Sequence, residues 1–98
     1  MDVAACVLTV DVHLPLSQSL KDKRGVIEPL LRQSRTRFGV AAAEVGEQDL
    51  RQRSVVAFAV VGASFRHVEE VLDSVERFVW SRPGLEVIEA RRSWLDAS

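Results

Sequence analysis

Two polar side chains near the end of the first apolar segment have the types and the spacing that catalysis or metal binding requires. Asp11 and His13 stand two residues apart, and in a β-strand such residues project from the same face. A carboxylate and an imidazole there supply either two metal ligands or an acid–base pair. Because a metal site needs a third ligand and none is evident, we interpret both residues as polar side chains at an exposed strand end.

The segment from Ser17 to Arg24, with the sequence SQSLKDKR, places a helix start signal among three cations. Ser19 is of the type that caps helix N-termini, and Lys21, Lys23 and Arg24 follow it. A helix N-terminus is itself electropositive, so these cations gain nothing from the helix dipole. We therefore expect them to point outward and to serve a partner outside the helix.

The positive charge continues along the helix that this segment begins. Residues 17–38 contain six basic and two acidic residues, a formal charge of +4, whereas the whole chain carries −1. Acidic residues of the second half compensate for it. Because the net charge attracts neither nucleic acid nor an anionic membrane, any such attraction is local to the first helix.

The pattern of apolar residues predicts four strands and two helices in the order β-α-β-β-α-β. Period-two and helical spacings predict strands over 3–14, 40–47, 54–63 and 85–94, and helices over 20–38 and 65–81. This order is that of the split β-α-β arrangement. We predict one α+β domain over residues 1–98, a ferredoxin-like βαββαβ two-layer sandwich. Its four-stranded antiparallel sheet has the first and third strands in the centre and both helices on one face.

Pro29 falls inside the predicted first helix, where an interior proline costs about 3 kcal/mol. Either the helix kinks there or its regular part begins near Val26. We favour the kink, because Leu20 and Arg24 keep the helical phase. The predicted inner stripe of this helix consists of Leu20, Ile27, Leu30, Leu31, Ser34 and Phe38. Gly39 is the expected C-terminal stop.

One face of the sheet in such a sandwich meets solvent, and the third strand is apolar on both faces. Ordinary apolar surface and a covering partner explain this about equally well. We take Val56, Phe58 and Val60 as candidates for self-association into a homo-oligomer, most simply a dimer. Ala41 and Ala43 on the flat second strand are further candidates, because an edge strand can pair with another chain.

The composition of the chain indicates the cellular compartment in which the protein works. The chain contains one cysteine, Cys6, so no internal disulfide can form, which is typical of a reducing compartment. Cys6 falls on the core-facing phase of its strand and is interpreted as a small buried hydrophobe. No signal peptide or apolar run of membrane-spanning length is evident. We expect a cytoplasmic protein that uses no membrane, metal or cofactor.

The predicted fold hosts several activities, and each needs its own residues. An acylphosphatase needs a glycine-rich, arginine-bearing phosphate loop and a catalytic asparagine, whereas the loop here reads HLPLSQS and the chain has no asparagine. A metallochaperone needs a Cys-x-x-Cys pair. An RNA recognition motif displays aromatic residues on its central strands, where Phe58 is the one aromatic residue. We therefore predict that the protein is not an enzyme.

Glu44 and the two arginines near the C-terminus are further charged residues that could have a function. Glu44 interrupts the alanine-rich second strand, either to pair with a cation of the first helix or to protect the edge from aggregation, and we weigh these equally. Arg91 and Arg92 beside Trp94 could contact a nucleic acid, although we favour a core-covering role for Trp94.

Three short elements together resemble the DUF503 (YlxP-like) family of small bacterial proteins: SLKDKR, the Phe38-Gly39-Val40 junction and Ala43-Glu44-Val45. The resemblance extends from about Val3 to Glu89. It implies a ferredoxin-like domain without an established activity. Members of the family tend to be encoded among genes for translation initiation and ribosome maturation, which implies a role near the ribosome or RNA.

Two hypotheses of different classes follow. In the first, the chain is a non-enzymatic RNA- or ribosome-associated accessory protein that contacts phosphates through Lys21, Lys23, Arg24, Arg32 and Arg35. A solvated helix face is the plain structural explanation of these charges. In the alternative, the chain is a homo-oligomeric protein-binding scaffold that uses the uncovered apolar face of the sheet.

Overall fold

The computed structural model describes residues 2–95, which form the predicted α+β sandwich. The elements are β1 (Ala4–His13), α1 (Leu20–Phe38), β2 (Ala41–Gly46), β3 (Arg53–Gly62), α2 (Phe65–Trp80) and β4 (Glu86–Trp94). The strand order is β2-β3-β1-β4, and neighbouring strands are antiparallel. β1 and β3 therefore lie in the centre, which confirms the predicted ferredoxin-like arrangement.

The core lies between one face of the sheet and the two helices. On the central strands, Leu8 pairs with Phe58 and Val10 pairs with Val56, and all four are 0% exposed. The fully buried residues of α2 are Val68, Leu72, Val75 and Val79. Each such side chain contributes about 1.5–3 kcal/mol when it is removed from water, so this layer holds the helices on one face of the sheet.

α1 begins and ends where the sequence predicts. The hydroxyl of Ser19 accepts a hydrogen bond from the backbone N–H of Asp22, and Gly39 ends the helix in the left-handed conformation, with φ 66°, which glycine adopts without steric cost. The helix runs from Leu20 through Pro29 to Phe38. The alternative in which its regular part begins only near residue 26 is therefore wrong.

The buried side of α1 differs from the predicted one at its start. Leu20, which the apolar pattern assigned to the inner stripe, is 43% exposed, whereas Lys23 is 2% exposed. The other buried residues of the helix are Ile27, Leu30, Leu31 and Ser34. Lys23 is thus the first buried residue of α1, and its ammonium group needs hydrogen-bond acceptors that an apolar side chain would not need.

Within residues 2–95, none of the helices combines the length and the apolar character needed to cross a membrane.

Candidate functional site

The start of α1 is fixed by reciprocal hydrogen bonds. Ser19 Oγ accepts from the backbone N–H of Asp22 at 3.0 Å, and Asp22 Oδ2 accepts from the backbone N–H of Gln18 at 2.9 Å. This is a variant of the capping box, and the negative charge of Asp22 is favourable at the positive end of a helix. One role of the SLKDKR segment is therefore to fix the residue at which α1 begins.

Lys23 lies buried between α1 and the loop that joins β2 to β3. Its ammonium group is 3.0 Å from Glu44 Oε2. It also donates hydrogen bonds to three main-chain oxygens, those of Glu47 (2.9 Å), Gln48 (3.0 Å) and Arg53 (3.1 Å). A buried charge is tolerated when it is paired and fully hydrogen-bonded. Lys23 therefore ties the first turn of α1 to the β2–β3 hairpin.

The prediction that Lys23 contacts RNA is wrong, because its side chain is only 3% exposed and its three N–H groups face four acceptors. Of the two roles weighed for Glu44, the structure shows the pairing with a cation of α1. Glu44 Oε2 is held in turn by Ser54, whose hydroxyl donates to it at 2.6 Å. The SLKDKR and Ala43-Glu44-Val45 elements thus meet in one ion pair, in which the lysine is buried and the glutamate is partly buried.

The remaining predicted cations of α1 are exposed and lie on one side of the helix; we call Lys21, Arg24, Arg32 and Arg35 the basic stripe. At about 100° per residue they fall within an arc of roughly 80°. With a rise of 1.5 Å per residue, the stripe extends for about 21 Å. One carboxylate, that of Glu28, lies among these cations and is also exposed. The stripe is therefore an elongated surface with net positive charge.

Arg35 has a second role at the sheet edge. Its Nη2 and Nε donate to the main-chain oxygen of Ala42 on β2, at 2.6 and 3.2 Å. Two residues along the same strand, the oxygen of Glu44 accepts from Gln48 Nε2 at 3.2 Å. Unpaired carbonyls on an edge strand are a template for another chain. Side-chain donors occupy these two carbonyls, so strand addition at this edge is obstructed.

The exposed face of the sheet is the opposite of the one predicted for self-association. Val56 and Phe58 are fully buried beneath the helices, and Val60 packs against the core. No partner can reach Val56 or Phe58 in the folded protein, so the prediction is wrong for these two residues, whereas Val60 is partly exposed and lines a surface concavity. Ala41 and Ala43 are exposed on the other face of the sheet.

We call this solvent-facing surface of the sheet the open face, and it has an apolar and a charged end. At the apolar end, Val7 is 38% and Val61 is 72% exposed. These residues and their neighbours Ala5, Ala41, Ala59 and Leu95 line a concavity of about 650 Å³. A small apolar surface with a hollow of this kind can accept an apolar side chain from a partner.

At the charged end of the open face, Asp11 and His13, the two candidates for catalysis or metal binding, each lie next to a charged side chain. Arg53 Nη2 donates to both carboxylate oxygens of Asp11, at 2.9 and 2.8 Å. His13 Nδ1 is 3.7 Å from Glu86 Oε2. Within residues 2–95, no group of three or more histidine, cysteine or acidic side chains is placed to hold a metal ion. The geometry therefore favours the interpretation of Asp11 and His13 as surface polar residues.

The C-terminal arginines separate into two environments. Arg92 donates to Asp73 Oδ1 at 2.8 Å and to Glu76 Oε1 at 3.3 Å. Burial alone lowers the pKa of Arg92, but its bonds to the two carboxylates raise it overall. Arg91 is exposed, and Trp94 packs against the core. Of the two arginines, Arg91 is the one available to a ligand.

Cys6 is 2% exposed and belongs to the core, as its strand phase predicted. Burial raises the pKa of its thiol, although the charge of Arg92 and a backbone hydrogen bond from Ser93 oppose the shift. A protonated, buried thiol is a poor nucleophile.

The sequence pattern did not single out one feature of the surface. Arg37 at the end of α1 and Arg82 after α2 both stack on the ring of Phe78. These residues come from different elements, so no local spacing reveals that they converge.

Comparisons with known proteins agree with this architecture. A family model described as "Protein of unknown function (DUF503)" matches residues 5–92. The "Uncharacterized protein YlxP" of Bacillus subtilis (strain 168) is 36% identical over 76 residues, which cover 78% of this chain and 83% of that protein. Among solved structures, the "De novo designed protein Foldit4" is similar with a TM-score of 0.57 and 15% identity, and the match covers 91% of this chain and 96% of that one. This last likeness concerns the fold alone.

Proposed function

The chain belongs to DUF503, a family of unknown function, and on that premise we propose that it is a non-enzymatic RNA- or ribosome-associated accessory protein that contacts the phosphate backbone through α1. The observation that carries this proposal is the basic stripe. Lys21, Arg24, Arg32 and Arg35 are exposed on one side of a single helix, and Lys23 is not among the contacts.

The geometry of the stripe suits a backbone and not a base sequence. Lysine and arginine contacts to phosphates position a protein on a nucleic acid but carry no sequence information. The stripe of about 21 Å is long enough to follow several consecutive phosphates. Its side chains are exposed, although Arg35 also donates to the main-chain oxygen of Ala42, so binding is expected to depend strongly on salt through the release of counterions.

The test is a fluorescence-anisotropy titration of an rRNA hairpin with a 5′-hydroxyl end, between about 50 and 200 mM salt. The variant Lys21→Ala/Arg24→Ala removes two stripe cations. We expect weaker binding and a salt slope that is smaller by about 1.5, because each lost contact reduces it by roughly 0.7–0.9.

The matched control is Arg51→Ala/Arg66→Ala, which removes the same charge from exposed positions outside the stripe. It is expected to retain the salt slope of the native protein. The proposal fails if the native protein shows no salt-dependent binding at low ionic strength, or if the stripe variant and the control bind alike.

A second candidate function, a homo-oligomeric protein-binding scaffold, is favoured by one separate observation. The exposed side chains of Val7 and Val61 border the apolar concavity of the open face. Sedimentation velocity across a dilution series tests self-association. We expect Val7→Asp/Val61→Asp to abolish any dimer, whereas Leu16→Asp/Leu50→Asp, at exposed apolar positions between the elements, leaves it intact. A native protein that stays monomeric at high concentration contradicts this candidate.

A further inference from the structure

Two neighbouring surface depressions lie where the C-terminal ends of α1 and α2 approach each other. One, of about 440 Å³, is lined by Arg32, Gln33, Thr36, Arg37, Phe78 and Arg82. The other, of about 330 Å³, shares the last three of these residues and adds Phe38, Ser74, Arg77 and Ser81. We call Arg32, Arg37, Arg77 and Arg82 the arginine cluster.

An aromatic ring positions the central pair of guanidinium groups. The guanidinium carbons of Arg82 and Arg37 lie 4.4 and 5.3 Å from the centroid of the Phe78 ring. Phe78 is itself held edge-on by Phe38, with ring centroids 5.6 Å apart. Stacking on an aromatic face orients a guanidinium group without using its N–H donors. The pair is therefore preorganised while most of its donors remain available to a ligand.

Within residues 2–95 no ion pair neutralises the cluster, although Arg77 also borders a depression lined by Asp73 and Glu76. No acidic residue lines either depression, and among residues 2–95 none of the four arginines takes part in an ion pair. Arg77 donates to the hydroxyl of Ser74, and Arg82 donates to Gln33 Oε1 at 3.3 Å. The Nε of Arg82 is buried without a hydrogen-bond partner in this part of the chain.

Helix dipoles explain only part of this arrangement. The C-terminal end of a helix is electronegative, and a cation there is stabilising. That effect accounts for a basic residue at the end of each helix. It does not account for two guanidinium groups that lie over one ring, with Arg32 and Arg77 lining the same depressions, because like charges in proximity repel one another.

We propose that the arginine cluster is a binding site for a group of two or more linked phosphates. Arginine forks bind phosphate oxygens in pairs, and two guanidinium groups on one ring can hold adjacent phosphates of the same ligand. The linked phosphates belong either to a free nucleoside di- or triphosphate or to the 5′-triphosphate end of an RNA. The site lies on the flank of α1 that faces α2, and it goes beyond the proposed backbone contact because it needs no polynucleotide.

Isothermal titration calorimetry with inorganic tripolyphosphate on the full chain tests the site. We expect saturable binding that is tighter than that of orthophosphate, and a loss of roughly tenfold or more in Arg37→Ala/Arg82→Ala, because charge-assisted bidentate hydrogen bonds are lost. Lys21→Ala/Arg24→Ala removes the same charge from the stripe and is expected to bind tripolyphosphate as the native protein does.

Truncation next to Phe78 could disturb the fold, so a conservative variant accompanies it. Arg37→Lys/Arg82→Lys keeps the charge but loses the planar fork, and an intermediate loss of affinity is expected at an unchanged melting temperature. Absence of tripolyphosphate binding overturns the proposal, as does an equal loss in the stripe variant, which would indicate attraction by net charge alone.

Two further titrations identify the source of the phosphates. ATP reports on a free nucleotide, and one RNA oligonucleotide with either a 5′-triphosphate or a 5′-hydroxyl end reports on an RNA terminus. Preference for ATP or for the triphosphorylated end supports the corresponding ligand, whereas equal binding of both RNA ends together with no binding of ATP counts against the site. The backbone proposal is tested on 5′-hydroxyl RNA with stripe variants, so each proposal can fail without the other.

Discussion

At the start of α1, Lys23 is surrounded by acceptors, whereas at its end Arg37 meets an aromatic ring and, within residues 2–95, no carboxylate. Both residues count equally in the formal charge of the helix. Lys23 has a structural role, because its three N–H groups face a carboxylate and three main-chain oxygens. Arg37 is exposed to solvent. Helical phase, and not charge density, therefore separates a structural cation from one that can bind a ligand.

The largest effect on stability is expected when the buried cation, Lys23, is removed. Lys23→Met leaves three carbonyls without this donor and leaves Glu44 without its cation, bonded only to the Ser54 hydroxyl. We expect the free energy of unfolding to fall by about 3–5 kcal/mol. Urea denaturation measures it. Lys21→Met is the matched control, and as an exposed substitution it should change stability by no more than about 0.5 kcal/mol. Equal effects of the two substitutions would contradict the anchoring role of Lys23.

A smaller effect is expected on the other side of the ion pair. Glu44→Gln keeps an oxygen that Ser54 can donate to, and Lys23 keeps its main-chain acceptors, so we expect a loss of about 1–3 kcal/mol. Glu28→Gln on the exposed side of α1 is the control. A double-mutant cycle with Lys23→Met isolates the pairwise energy, and a coupling energy near zero would show that the carboxylate is dispensable.

The smallest of the three effects on stability is expected in the arginine cluster, at Arg82. Arg82→Ala removes the guanidinium that lies over Phe78, and we expect a loss of about 0.5–1 kcal/mol, the usual value of an exposed cation–π contact. Arg66→Ala, which removes one partner of an exposed ion pair with Glu70, should change stability by no more than about 0.5 kcal/mol. A loss at Arg82 as large as that at Lys23 would show that this arginine is structural.

Much of the fold could be predicted because its signals are local. Ser19 and Gly39 bound α1 through preferences that belong to single residues, and the strands follow from period-two alternation. The position of Lys23 was also readable, since it precedes Ile27 by four residues and so shares the phase of the buried stripe. The apolar pattern passed over it because lysine is rarely buried.

Other parts depend on contacts between distant segments. Which face of β3 is covered is decided by its register with β1, in which Phe58 lies opposite Leu8, and both faces of that strand are apolar in the sequence. The bulkier side chains were assigned to the open face, whereas the helices bury them. The arginine cluster depends likewise on how α1 packs against α2, which no single segment specifies.

The two side chains that occupy carbonyls of β2, Arg35 and Gln48, limit how copies of this protein can assemble. Growth of a filament by strand pairing needs two free edges, so that β2 of one copy can add to β4 of the next without closing. With the β2 edge obstructed, copies can meet through two β4 edges or through two open faces. Each of these contacts by itself is isologous and closes after two subunits, so head-to-tail strand pairing through β2 is obstructed as a route to fibres.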